Sequence, residues 1–138
     1  MSRVDFVVVD RLFEFYNPFR QFFARNPTLA TIRKPPVVPG RDAVFFSQLS
    51  DRQETRWNKG RVRYFVELLE RGVTLDPVEI DNQCDRGHIY GPILLDGHHR
   101  FCAAILLKVP VLRARYGGRV DTLRYLTGKA DLPPGDLT

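Results

Sequence analysis

The sequence predicts a small α+β domain, and three observations carry that prediction. A chain of 138 residues with a hydrophobic share of 43% can bury one sizeable core but not two. Residues 57–71 repeat Val62, Phe65, Val66 and Leu69 at helical spacing and end on Gly72, the pattern of an amphipathic helix with a glycine stop. Residues 93–107 read as a buried strand, a turn at Asp96-Gly97 and an apolar helix, after which Val111–Tyr116 alternates like a half-exposed strand.

Taken in order, Val4–Val9 reads as a strand that Asp10 ends. Asn17-Pro18 is a helix start, with Asn as N-cap and Pro at the first helical position. Phe19, Phe22 and Phe23 then share a face, and Asn26-Pro27 closes the turn. With Leu12, Phe13, Phe15 and Tyr16 they form an aromatic-rich extension. It serves as a packing surface, with stacking on a base or contact with a second copy in a homodimer as its other uses. Arg33–Gly40 carries three prolines and reads as a stiff, extended connector.

Ala43–Phe46 is a short strand and Ser47–Asp51 a turn; Glu54-Thr55-Arg56-Trp57 is a polar loop ahead of the 57–71 helix. Asp76–Asp81 opens a strand, Asp85–His88 turns, and Ile89–Leu95 returns, with Pro92 delaying or bulging the second strand. A helix over Phe101–Lys108 breaks at Val109-Pro110, and Gly117-Gly118 ends the last strand. Val120–Thr127 makes a final helix closed by Gly128, and Leu132–Thr138 is a loose tail. The chain thus divides into an N-terminal extension and connector (1–40), a core (41–118) and a C-terminal helix and tail (119–138).

The net charge of +5 and a pI near 9.6 favour an anionic partner: a nucleotide, DNA or RNA. The charge is dispersed, so it does not identify the anion. No apolar run reaches bilayer length, and Asp5 and Asp10 interrupt Val4–Val9, so no membrane partner and a cytoplasmic location are expected. Two cysteines make no disulfide framework. Cys84-x-x-x-His88 and His98-x-x-x-Cys102 are spaced more loosely than hairpin-borne zinc ligands, so no metal site is expected, and Cys102 reads as core.

The unusual feature is the first turn of the helix after Gly97. Free backbone N–H groups there carry partial positive charge and favour acidic side chains, yet the chain supplies His98, His99 and Arg100. An anion bonded by the amides and these side chains together would account for the arrangement. The competing reading is a simple glycine turn with its cations in solvent. The two differ in where those side chains go.

A strand ending in Asp96-Gly97-His98-His99-Arg100, followed by Ala103-Ala104 and Val109-Pro110, resembles the ParB/sulfiredoxin superfamily. The upstream order fits as well: Leu49-Ser50, the helix ending at Gly72, then Asp76-Pro77-Val78-Glu79-Ile80. The likeness covers about residues 44–117. It implies a single ParB/sulfiredoxin-like domain with helical additions at both ends, and a turn that holds the phosphates of ATP, ADP or CTP through Gly97, His98, His99 and Arg100. The Asp-Gly-His form is most similar to the ParB-like free-serine kinases, which move a phosphoryl group to a small hydroxyl-bearing acceptor. That likeness implies a functional role for Asp96, a catalytic base at Glu54, and Mg²⁺ beside the phosphates. Sulfiredoxins carry a catalytic cysteine where this chain has His98, which removes their sulfinic-acid repair. Their helical Lys-Val-x-Ser corresponds to Arg61-Val62-Arg63-Tyr64, so Arg61 is a second phosphate or base contact. ParB partition proteins bind CTP and add a DNA-reading helix-turn-helix, for which no sequence remains here. The expected function is therefore a nucleotide-binding phosphotransferase or NTP hydrolase, with a DNA- or RNA-binding or nuclease module as the alternative.

Overall fold

The computed structural model describes residues 3–39, 50–85 and 88–136, with backbone alone at 83–85 and 88–90. Within these residues the chain runs β1 (Val4–Val8), α1 (Val9–Phe15), a 3₁₀ turn (Pro18–Gln21), α2 (Leu29–Ile32), α3 (Asp51–Glu70), β2 (Val78–Asp85), β3 (His88–Asp96), α4 (His98–Leu106), β4 (Val111–Tyr116) and α5 (Val120–Leu126). The α+β class is the one predicted. The strand expected at 43–46 lies outside the described residues.

The four strands form one sheet in the order β1-β4-β2-β3. β2 and β3 are the predicted hairpin, and its register slips next to the Asn82↔Pro92 pair, because proline has no N–H to give the ladder. β3 therefore starts on time, at His88, and bulges at Pro92. α4 carries the chain back so that β4 lies parallel to β2, pairing Val78 with Ala114. β1 closes antiparallel on β4, pairing Val7 with Leu112. The N-terminal extension thus supplies an edge strand, and Val7, Val9 and Leu12 belong to the core.

α4 is the centre of the packing. Phe101, Cys102, Ala103 and Ala104 are all fully buried, as a helix apolar on every side must be. Phe101 and Ala104 face the sheet with α1 and α5. Cys102 and Ala103 face Val62 and Val66 of α3, together with Phe19, Phe23 and Ile32. The layers are therefore sheet, α4, α3, with the phenylalanines of the extension sealing the second interface.

Three local expectations need correction. Asp10 does not merely end a strand; it lies in the first turn of α1, where its charge suits the helix dipole. α3 begins at Asp51, not Trp57. Ser50 accepts from the Gln53 amide, and the Gln53 side chain accepts from the Ser50 amide, a reciprocal cap that starts the helix early. Glu54 is consequently helical and not part of a loop. The tail is also less loose than expected, since Asp136 pairs with Arg119 at 2.9 Å.

The connector lies along α3. Val38 N donates to Gly60 O at 3.1 Å, and Arg63 donates to the carbonyls of Arg33 and Pro35 at 3.0 and 2.7 Å. Gly60 permits this approach, since a Cβ there would sit 2.4 Å from Pro36 O. Among the described residues no helix is long and apolar enough to cross a membrane.

Candidate functional site

The junction of β3 and α4 is a one-residue turn. β3 continues through Asp96 and Gly97 alone reverses the chain, with φ +94°. A Cβ at Gly97 would meet Val78 Cγ1 at 2.6 Å, so both the angle and the space require glycine. α4 then starts with no side-chain cap and no acidic residue in its first turn. Its first amides, the positive end of a nine-residue helix, open on a cavity of about 1030 Å³.

That cavity is walled on one side by Gly97–Arg100 and on the other by Arg61, Tyr64, Phe65 and Leu68 of α3. The segment 73–77 and Phe22 close its remaining sides, and Glu79, Asp96 and Arg115 stand at the sheet end. Five of the predicted site residues after Glu54 thus share one space with Asp96: Arg61, Gly97, His98, His99 and Arg100. Glu54 does not. It sits one helical turn before Asn58, and its carbonyl accepts from Asn58 Nδ2 at 3.1 Å, but it is not among the cavity walls.

The three basic side chains behave differently from one another. Arg100 bends back on its own turn. It donates to Asp76 O at 2.8 Å and Pro77 O at 2.9 Å, and pairs with Asp96 at 3.2 Å. It therefore ties the start of β2 to the turn, with its side chain only 13% exposed. This is neither free solvent exposure nor a guanidinium wholly available to an anion.

His99 is held from three sides. Its Nε2 lies 2.9 Å from Asn58 Oδ1, and since Nδ2 of that amide is given to Glu54 O, the imidazole is the donor. Its ring stacks on Phe22 at 4.1 Å and 10°, and Trp57 meets it edge-on at 6.0 Å. Burial, then the charges of Arg61, His98 and Arg100, push its pKa down to about 3. His99 is thus neutral at physiological pH, and the expectation of a third cation there is corrected. His98 Nε2 pairs with Tyr16 Oη at 2.9 Å. Burial lowers its pKa against the opposing pull of Asp96.

Arg61 lies over Phe65, 5.1 Å from the ring centroid, and donates to Val38 O at 3.3 Å. Phe22 lines the cavity and Tyr16 holds His98; the sequence placed both in an aromatic extension read first as a packing surface, with stacking on a base as another use. Asn58 was not singled out at all, although its spacing of four from Glu54 and three from Arg61 puts it on the α4-facing side of the helix.

Glu79 and Asp96 are direct cross-strand partners, and Glu79 is also paired in register with Arg115. Like charges opposite one another are unfavourable, and a cation between them would relieve the cost. A carboxylate at this position would suit a hard divalent cation such as Mg²⁺. Among the described residues no group of three or more His, Cys, Asp or Glu is arranged to hold a metal ion. The side chains of Cys84 and His88 lie outside the described residues, and Cys102 is buried in the core. Compared with family models, characterised proteins and solved structures, the chain gives no match.

Proposed function

We propose that the cavity between α3 and the Gly97 turn binds a nucleotide, ATP, ADP or CTP, and passes its terminal phosphoryl group to a small hydroxyl-bearing acceptor. The observation that carries this reading is the uncapped first turn of α4 opening on a cavity that also holds Arg61 and His98. Backbone amides at a helix start are an anion site in their own right, and the likeness of Asp96–Arg100 to ParB-like kinase turns points to the same chemistry.

The lining contains Arg61, Arg100 and Arg115 against Asp76, Glu79 and Asp96, so its charges balance. A phosphate is then selected by aimed donors rather than by a net field. Glu79 would hold Mg²⁺ beside the phosphates, and the ion would supply positive charge where negative charge develops in phosphoryl transfer. Asp96, 67% exposed on its side chain and paired with Arg100 at 3.2 Å, is the carboxylate we assign to take the acceptor's hydroxyl proton. As that proton leaves, the acceptor oxygen bonds to phosphorus and the bond to the departing nucleotide breaks. Glu54, outside the cavity walls, is the weaker choice for that base.

A thermal-shift screen of ATP, ADP and CTP with and without Mg²⁺ tests the reading, because a ligand at 100 times its Kd stabilises the folded state by about 2.7 kcal/mol. The expected result is a saturable shift reduced about tenfold in affinity by Arg61→Ala. Asp96→Asn is expected to retain binding and lose phosphate transfer. If no nucleotide shifts the melting temperature, with or without Mg²⁺, the proposal fails. Arg100→Ala is the poorer probe, since it also cuts the tie to Asp76 and Pro77.

A further inference from the structure

On the flank of α3 turned away from this cavity, a second groove of about 560 Å³ is lined by Lys34, Arg52, Arg56 and Lys59, with Thr31 and Thr55 between them. Positions 52, 56 and 59 fall within one stripe of a 3.6-residue helix, roughly 180° from Arg61. Lys34 reaches the same groove from the end of α2. Asp51 is the one acid in the lining, so four cations face one carboxylate.

What sets these cations apart is that four without an ion pair among the described residues share one groove. Arg3, Arg33, Arg63, Arg100 and Arg119 are each in an ion pair, and Arg11 and Arg113 donate to backbone carbonyls. Among the described residues no ion pair is made by Lys34, Arg52, Arg56 or Lys59. Arg52 also stands in the first turn of α3, where the helix dipole disfavours a cation. Among the described residues it makes no ion pair.

We propose that this groove is a docking track for the sugar–phosphate backbone of a nucleic-acid strand. Guanidinium forks bind phosphate oxygens two at a time, and threonine hydroxyls are ordinary backbone contacts. The lining has no aromatic residue and, beside Pro35, no apolar one. A protein partner would need buried anchors in the middle of its interface, and a membrane surface would need apolar side chains to insert. The absence of a stacking platform also makes the contact indifferent to base sequence.

The test measures fluorescence anisotropy of a labelled 20-nucleotide strand against the full chain from 50 to 200 mM salt. Four phosphate contacts predict a log–log salt slope of about −2.8 and an affinity loss of about fifty-fold over that range. The triple variant Arg52→Gln/Arg56→Gln/Lys59→Gln is expected to bind at least tenfold more weakly at 50 mM, with a slope near −0.7. The triple Arg71→Gln/Lys108→Gln/Arg124→Gln, which removes equal charge elsewhere, is expected to bind like the parent. Unaltered unfolding curves for both variants exclude a folding defect. Equal losses in the two variants would overturn the proposal, as would a parent that retains no strand at 50 mM salt. Binding to polyglutamate or to vesicles with 30% phosphatidylserine as tightly as to the strand would overturn it too.

Discussion

The two flanks of α3 handle charge in opposite ways. On the α4 side the basic groups around the turn have been given work: Arg100 ties the turn to β2, Arg61 lies over aromatic rings, and His99 is neutral between Asn58 and Phe22. On the other side Lys34, Arg52, Arg56 and Lys59 share a groove with Asp51 as its one acid, and make no ion pair among the described residues. The difference teaches that a basic composition says little about a site until the cations are located. The +5 balance of the chain favoured an anionic partner without locating it; the cavity at the Gly97 turn carries as many arginines as carboxylates, while the groove on the other flank carries four cations against one acid. A ligand at the first flank is recognised by geometry and one at the second by field.

This comparison can be broken most sharply at Gly97. Gly97→Ala puts a Cβ into Val78 at a φ of +94°, and a residue strained in this region costs about 1–3 kcal/mol before the clash is added. Urea unfolding is expected to show a loss of about 3 kcal/mol or more, and the folded fraction is expected to lose its nucleotide response while keeping its binding to a labelled strand. Loss of both functions in the folded fraction would mean that the flanks are one site.

Acid gives the next largest effect, confined to the first flank. The pKa of His99 is lowered from 6.5 to about 3 by burial, so the unfolded chain binds a proton that the folded chain refuses. The stabilising contribution is whole above pH 6.5 and is lost as pH falls toward 3, at about 1.4 kcal/mol per pH unit. His99→Gln, which keeps a donor for Asn58, is expected to flatten that slope in unfolding curves taken from pH 7 to 5. An unchanged slope would show that the imidazole is not the group refusing the proton. The smallest effect belongs to the second flank: the groove triple is expected to change stability by no more than about 0.5 kcal/mol, because exposed, unpaired cations hold nothing in place.

Much of this architecture was legible locally. The α3 period, the alternation of β4 with Leu112 and Ala114 inward, the glycine stop after α5 and the Gly97 turn are all short-range patterns, and all are present. The early start of α3 was readable too, since Ser50 and Gln53 are a capping box in plain sequence. What was not legible is what lies far apart along the chain. Arg100 finds the carbonyls of Asp76 and Pro77, and His98 finds Tyr16 across 82 positions. Side-chain type announced that these groups were basic, but only the fold decides whether a basic group meets a ligand, a carbonyl or a ring. The pairing of β1 with β4 escaped notice for the same reason, because an edge strand carries no mark of its partner.

Arg11 donates to Tyr125 O at 2.7 Å and to Ala130 O at 2.6 Å. These contacts join residues 114 and 119 positions apart, and β1 waits on β4 in the same way. The aromatic faces of the N-terminal extension are therefore covered by parts of the chain that lie far from them in sequence. A fold closed by contacts this far apart along the chain is expected to form slowly and as one unit.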